Sequence, residues 1–228
     1  MTADDPIGVE STSGLATGAA LPSTPGLFAW PGLRYAASNI GLAAMFFIAL
    51  IPFGGRYRFG VANYIWLAGA ALMGVLSLVR VAPREKMFNV RSFLATSAMM
   101  AAPAMMRPAA ASTGLLADGA VIVELIGVTF SQISRLYMGR RFGLLPANRG
   151  IVATGPFRLV RHPVYIGWFV LTIGFIMAYP SAFNLTMLVI TVPLAIWRIA
   201  FEEELLLRDP EYRAYAAKTR YRMIPGLY

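Results

Sequence analysis

Long apolar stretches separated by short polar loops run through most of the chain. They cover about residues 35–53, 61–80, 92–107, 117–138, 163–179 and 182–204. A helix needs roughly 20 apolar residues to cross about 30 Å of hydrocarbon, and most of these stretches approach that length. The third stretch is short and contains Pro103. The pattern predicts an all-α, polytopic membrane bundle with about six transmembrane helices.

The polar segments divide the chain into three parts. Residues 1–26 are rich in Ser, Thr, Gly, Pro and Ala, so we expect a disordered cytoplasmic tail. Residues 27–138 would form the N-terminal transmembrane helices. Residues 139–228 would contribute a loop, a transmembrane hairpin and a C-terminal helix at the membrane surface. In that last helix Asp209 can act as the N-cap before Pro210, with Tyr212 and Tyr215 on one face. A simple solvated cap is the alternative.

Composition supports a membrane protein and excludes several kinds of site. Hydrophobic residues make up 57% of the chain and charged residues only 14%, whereas about a quarter of a soluble domain is charged. The chain has no cysteine, which excludes disulfides and thiolate nucleophiles. A single histidine makes a histidine-rich metal site improbable, so we expect no metal.

The net charge of +9 fits basic loops beside anionic lipid rather than nucleic-acid binding. Six spans place both termini and the loops 81–91 and 139–162 on one face. Of the 20 lysines and arginines, all except Arg56, Arg58 and Arg107 then lie on that face or at its helix ends. By the positive-inside rule this face is cytoplasmic, and we expect a bacterial inner membrane as the location.

The segment Arg161-His162-Pro163-Val164-Tyr165-Ile166-Gly167 is the first candidate for chemistry. Pro163 can start a helix, which places His162 near its N-cap and Tyr165 on the same side. Gly167 leaves room for another group to approach closely. The helix N-terminus favours an anion such as a carboxylate. The alternative is an interfacial pair of anchoring side chains.

Helix lengths bring an acidic run to the same depth. The helix from Pro163 rises roughly 24 Å to the Pro180 turn, and the return from Asn184 to Glu202 is roughly 27 Å. Arg198 lies one turn before Glu202 on the same face. These residues can therefore meet at one cytoplasmic mouth, although a charge run such as 202–204 is usually a solvated helix end.

Glu124 lies inside the fourth apolar stretch, nearer its other end. Intramembrane carboxylates usually face a cavity or a partner. Because the mouth is at the opposite end of that stretch, we expect Glu124 to lie outside the site rather than to line it.

Several motifs together resemble one known family. They are the run Gly150–Gly167, then Arg198 with Glu202-Glu203, then residues 209–215 and Ile224-Pro225-Gly226. In combination and spacing they resemble the isoprenylcysteine carboxyl methyltransferase family, which is related to the membrane phospholipid methyltransferases. The resemblance covers about residues 139–228.

The resemblance implies an enzyme that uses S-adenosyl-L-methionine at the cytoplasmic mouth. Arg198 and Glu202 would be catalytic, at the junction of cofactor and substrate. The residues implied to bind the cofactor are Leu159, Val160, His162, Tyr165, Gly167 and Glu203. Because a third acid, Glu204, follows directly, it is open which two of the three glutamates correspond to the family's acidic pair. The sequence spacing to Tyr212 favours Glu202 and Glu203.

The acceptor and two rival functions stay open. A lipophilic acceptor could present an isoprenylcysteine-type carboxylate or thiol, or a phospholipid amine, so the expected partners are such a substrate and membrane lipid. A steroid-reductase-like enzyme that uses NADPH is one rival, with Arg158 and Arg161 available for the extra phosphate. A membrane protein without enzymatic activity is the other. The oligomeric state is open.

Overall fold

The computed structural model describes residues 33–48, 61–86, 90–107 and 110–227, so the predicted tail, 1–26, lies outside the described residues. The described chain is mostly helical, as the apolar pattern predicts. Its α-helices are α1 (Leu33–Ile48), α2 (Val61–Leu78), α3 (Val90–Ala104), α4 (Leu115–Met138), α5 (Pro163–Ala178), α6 (Ala182–Leu206) and α7 (Pro210–Lys218). Each predicted apolar stretch therefore contains one helix, and α7 is the predicted C-terminal helix.

Two of these helices are long and apolar enough to cross a membrane, judged by length and composition. They are α4 extended by its final turn, Leu115–Arg141, and α6, Ala182–Leu206. The helix α5 is apolar but shorter, at 16 residues. Six transmembrane helices thus stay a prediction, while the helical fold itself is confirmed.

The helices α4 and α5 pack closely because glycines face the neighbouring backbone. A Cβ at Gly167 would lie 2.5 Å from the Ser131 nitrogen, and one at Gly174 would lie 2.7 Å from Glu124. Small residues of this kind let helices approach closely in apolar surroundings. In contrast, α6 packs mainly against α3 and has few contacts with α5. The two helices of the predicted hairpin therefore pack mainly against different neighbours, α5 against α4 and α6 against α3.

Two loops and the C-terminal region join at one end of the bundle. Residues Glu85–Lys86 (β1) pair antiparallel with Ala147–Asn148 (β2), a two-residue exception to the predicted all-α fold. Such pairing satisfies backbone groups where two loops meet. Arg208 near α7 reaches Glu85 at 2.8 Å, which ties the C-terminal region to the same end. The sequence predicted these segments on one face, and the contacts agree.

A buried asparagine organises the opposite end of the bundle. Asn184 is fully buried, accepts a hydrogen bond from the Arg107 backbone nitrogen at 3.0 Å and donates to the Arg107 carbonyl at 2.9 Å. The Ser112 nitrogen donates to the Ala178 carbonyl at 2.9 Å. The segments after α3 and α5 therefore lie together, away from the candidate site.

Candidate active site

Glu203 on α6 is the centre of a buried polar cluster. Its side chain is 2% exposed. Arg161 donates to both carboxylate oxygens, from Nε at 2.9 Å and from Nη2 at 2.8 Å. Tyr212 Oη donates at 2.6 Å, and His162 Nε2 lies 2.9 Å away. A carboxylate can only accept, so His162 Nε2 carries the hydrogen of that bond. The carboxylate is thus compensated by charge and fully hydrogen-bonded.

The C-terminal segment fixes the Arg161-His162 pair from the other side. The backbone nitrogens of Arg161 and His162 donate to the carbonyls of Tyr221 and Arg222, at 3.0 and 2.8 Å. Arg161 Nη1 also donates to the Thr219 carbonyl at 2.9 Å. Pro163 then starts α5, as the sequence predicted. We call residues 219–222 the C-terminal strap, because they hold the start of α5 in place.

A second, less saturated cluster surrounds Glu202. Tyr165 Oη donates to Glu202 Oε2 at 3.0 Å, and Arg198 Nη2 donates to Glu202 Oε1 at 3.1 Å. His162 Nδ1 is 3.8 Å from Glu202 Oε2. Arg198 Nη2 also donates to the Leu144 carbonyl at 2.5 Å. The helix-length argument is confirmed, since His162, Tyr165, Arg198 and Glu202 converge at one end of α5 and α6.

One buried donor of the Arg198 side chain has no acceptor among the described residues. That side chain is 4% exposed, yet Nη1 has no hydrogen-bond partner within the described part of the chain. A buried donor without an acceptor costs about 1–3 kcal/mol. The arrangement therefore favours a ligand that brings an acceptor to this nitrogen.

The Glu202 cluster opens into a cavity of about 330 Å³. It lies among α3 to α7, and the loop that follows α4 forms part of its wall. His162, Tyr165, Arg198 and Glu202 form part of its polar wall. Its apolar wall includes Met99, Met100, Val164, Trp168 and Leu206. The cavity thus joins polar, charged groups to an apolar surface, which is typical of small-molecule sites.

The other residues implied by the resemblance lie outside this lining. Glu203 is directly behind His162, and Val160 is 2% exposed. Leu159 is 68% exposed, and the close approach expected at Gly167 is made by α4. Cofactor contacts by these residues stay a prediction.

Two further acids lie elsewhere. Glu124 contacts the Gly174 region of α5 and is not part of the cavity lining. Glu204 is 59% exposed and lies 3.6 Å from Arg208. The solvated interpretation of the acidic run therefore fits Glu204, whereas Glu202 and Glu203 point inward.

The sequence reasoning missed part of the cavity wall. Arg135 and Met138 on α4 line it, as does much of the loop from Arg141 to Val152. A signal for Arg135 was present, because an ionisable residue in an apolar span is a functional candidate by the rule applied to Glu124. No comparable signal marks the loop, whose arginines satisfy the positive-inside pattern.

The helix α7 covers the cluster with tyrosines. Tyr212 and Tyr215 are 4% and 8% exposed, so the predicted shared face packs inward. Tyr215 Oη donates to the Phe157 carbonyl at 2.6 Å, and burial raises the pKa of Tyr215 to about 12. Burial, and then the charge of Glu203, also raise the pKa of Tyr212, so both hydroxyls stay protonated donors.

Comparison with known proteins gives one family match. The family model described as phospholipid methyltransferase matches residues 110–212, which include α4, α5, α6 and the cluster residues from Arg161 to Tyr212. The match confirms the predicted resemblance, because that family lies in the isoprenylcysteine carboxyl methyltransferase-like superfamily. No curated protein matches the chain. The match supports a methyltransferase, and together with the two long apolar helices it supports a membrane protein.

Proposed function

We propose that this protein is an integral membrane methyltransferase that uses S-adenosyl-L-methionine and methylates a lipophilic acceptor. One observation carries the proposal: a single cavity joins the polar group of His162, Tyr165, Arg198 and Glu202 to an apolar wall. A polar, soluble cofactor and an apolar acceptor could meet there. The helices α1 to α6 would all cross the membrane, with both termini and the cavity mouth cytoplasmic.

The residues at the mouth fit the cofactor's chemistry. The free Nη1 of Arg198 can donate to a carboxylate, and so can the N-terminus of α5. Glu202 lines the cavity with its side chain 21% exposed, and can accept from an amine or from ribose hydroxyls. When bound, S-adenosyl-L-methionine supplies a methyl group on a positively charged sulfur.

The chain's own contribution is alignment and electrostatics. Tyr165 and Arg198 hold the Glu202 carboxylate, and Glu203 with the C-terminal strap holds His162. In this proposal Glu203 serves the cofactor site through His162, and Leu159 and Val160 contribute backbone near the mouth. Holding two reactants in line removes much of the entropic barrier to a displacement.

The acceptor group decides whether a base is needed. An isoprenylcysteine-type carboxylate needs none, and Arg198 could orient it. A phospholipid amine must lose a proton, and His162 or Glu202 would be the base. The apolar wall at Met99, Met100 and Trp168 would take the lipid chain.

Calorimetry on the purified protein tests the cofactor. We expect S-adenosylhomocysteine to bind and His162→Ala to weaken it by about tenfold or more, since a hydrogen bond of a charged group contributes about 1.5–3 kcal/mol. Arg158→Ala is the matched control, because Arg158 is exposed and outside the cavity lining. Binding of NADPH instead, weakened by Arg158→Ala, would replace this proposal with the reductase. Lipid extraction after incubation with methyl-labelled cofactor would then identify the acceptor.

A further inference from the structure

Arg135 is a charged residue in the cavity wall, and no described residue is its charged partner. It lies in the last turn of α4 and lines the cavity. The one side-chain hydrogen bond of Arg135 within the described ranges runs from Nη1 to Gln132 Oε1, at 3.1 Å. No carboxylate among the described residues lies within 4.0 Å of its guanidinium nitrogens. The amide of Gln132 orients the guanidinium but does not neutralise it.

The charges on the rest of the wall do not offset this cation. The described lining includes the arginines 135, 141, 149, 161 and 198 but only one carboxylate, Glu202. Glu202 pairs with Arg198, and Arg161 is neutralised from behind by Glu203. Even without Arg149, neither Arg135 nor Arg141 has a carboxylate within 4.0 Å among the described residues, so the wall has an excess of positive charge in a partly apolar space. Such a charge is costly unless it is paired, so the cavity favours a ligand that brings an anion.

We propose that Arg135 binds an anionic group of the methyl acceptor, either a phosphate or a carboxylate, and so selects the acceptor. The inference rests on the proposed function and adds a specificity-determining residue to it. Arg135 belongs to α4, whereas the groups assigned to the cofactor lie on α5, on α6 and in the segment just before α5. A planar guanidinium also suits both anions, because it can donate two parallel hydrogen bonds to either.

Two of the open classes of acceptor, the isoprenylcysteine-type carboxylate and the phospholipid amine, contain such an anion. A phospholipid amine carries its charge on a phosphodiester beside the amine, and an isoprenylcysteine carries it on the carboxylate that would be methylated. An acceptor that is only a cation would meet an excess of like charge at this wall. The anion is therefore the feature that the two acceptor classes share, and an experiment has to separate its two sources.

Short amphiphiles of one chain length supply that separation. We would titrate hexyl phosphate, hexanoate, hexylamine and hexanol into the purified full-length protein in a non-ionic detergent, with S-adenosylhomocysteine present. At least one of the two anions should bind about tenfold tighter than hexanol, and hexylamine no tighter than hexanol. Tighter binding of hexyl phosphate indicates a phospholipid phosphate, and tighter binding of hexanoate indicates a carboxylate acceptor.

Variants then assign the effect to Arg135. Arg135→Gln should remove roughly the tenfold preference for the anion, and Arg135→Lys should keep part of it because the charge remains. Arg158→Gln makes the same change of charge outside the cavity and should leave the preference intact. Affinity for S-adenosylhomocysteine should change by less than about twofold in Arg135→Gln, which also shows that the variant is folded.

Three outcomes would overturn the assignment. They are equal affinity for all four probes, an anion preference that survives in Arg135→Gln, and a loss of S-adenosylhomocysteine affinity in both Arg135 variants, which would give Arg135 to the cofactor. Failure of the proposed function looks different, because wild-type protein would then not bind S-adenosylhomocysteine at all. Anion binding that depends on Arg135 could still be measured in that case.

Discussion

Glu202 and Glu203 are adjacent in sequence, yet their surroundings are opposite. Glu203 is 2% exposed and accepts hydrogen bonds from Arg161, His162 and Tyr212. The Glu202 side chain is 21% exposed, lines the cavity and pairs with Arg198. Nη1 of Arg198 has no hydrogen-bond partner in the described structure. The first carboxylate is saturated by protein groups, and the second belongs to a cluster with capacity left for a ligand.

This difference teaches that an acidic pair on a helix need not act as one unit. Successive residues of an α-helix point about 100° apart, because one turn contains 3.6 residues. One glutamate of the pair therefore faces the cavity, and the other faces the start of α5 and α7. A fully satisfied polar network makes a structure rigid, whereas an unsatisfied group marks the place where something else binds.

Removing the charge of Glu203 should have the largest effect on stability. Glu203→Gln would leave the buried Arg161 and His162 facing a neutral amide that donates as well as accepts. Breaking a buried ion pair on one side costs about 3–5 kcal/mol. We expect a clear fall in Tm for the purified protein in detergent, measured by thermal unfolding.

Glu202→Gln is the matched control for this prediction. It makes the same chemical change one residue earlier, and we expect a much smaller fall in Tm but a loss of affinity for S-adenosylhomocysteine. If the two variants lost equal stability, the contrast between a structural and a ligand-facing glutamate would be wrong.

Tyr212→Phe should have a smaller effect on the same cluster. The change deletes the hydroxyl that donates to Glu203 at 2.6 Å but keeps the buried ring. Hydrogen bonds to charged groups contribute about 1.5–3 kcal/mol, and Arg161 and His162 would still compensate the carboxylate.

Comparing the Tm of Tyr212→Phe with the Tm of Tyr215→Phe separates this effect from a general loss of stability at α7. The Tyr215 hydroxyl donates to a neutral carbonyl, that of Phe157. A neutral hydrogen bond contributes only about 0.5–1.5 kcal/mol. A larger loss in Tyr215→Phe than in Tyr212→Phe would show that Glu203 does not depend on α7.

The sequence predicted the helices well because their signal is local. Apolar stretches and the proline at position 163 determine where helices form and start, and the helix lengths were enough to bring Glu202 beside His162. The long-range contacts carry no such signal. Nothing in the sequence indicated that the C-terminal strap would bond to the backbone of Arg161 and His162, or that the loop after α4 would line the cavity.

Resemblance to a family has a related limit. It grouped Glu202 with Glu203, although which of the two faces the cavity depends on the rotation of α6 against its neighbours. Helix rotation follows from packing, and here α6 is supported by α3 rather than by its sequence neighbour α5. Arg135 was missed because an isolated arginine at a helix end also satisfies the positive-inside rule.

Asp209 offers a third carboxylate, intermediate between the two glutamates. It is 12% exposed, caps α7 by accepting from the Glu211 nitrogen at 2.9 Å, and accepts from Asn148 Nδ2 at 2.6 Å. The predicted N-cap is thereby confirmed. Burial opposes its ionisation, but the hydrogen bonds from Asn148 and the Glu211 backbone and the charge of Arg84 outweigh this and lower the pKa of Asp209.

The smallest predicted effect is therefore one of pH. A carboxylate whose pKa is lower in the folded state stabilises the fold above its unfolded pKa of about 3.9, and that stability is lost as the pH falls through the folded value. Asp209→Asn keeps a capping oxygen but not the charge, so we expect it to cost about 0.3–1 kcal/mol at pH 7, the usual contribution of an acid at a helix N-terminus. The difference in Tm between wild type and variant should shrink as the pH falls from about 5 towards 3. A difference that stays constant over this range would mean that the shape of the cap, and not its charge, joins α7 to the loop after α4. The comparison of saturated and unsaturated carboxylates would then apply to the two glutamates alone.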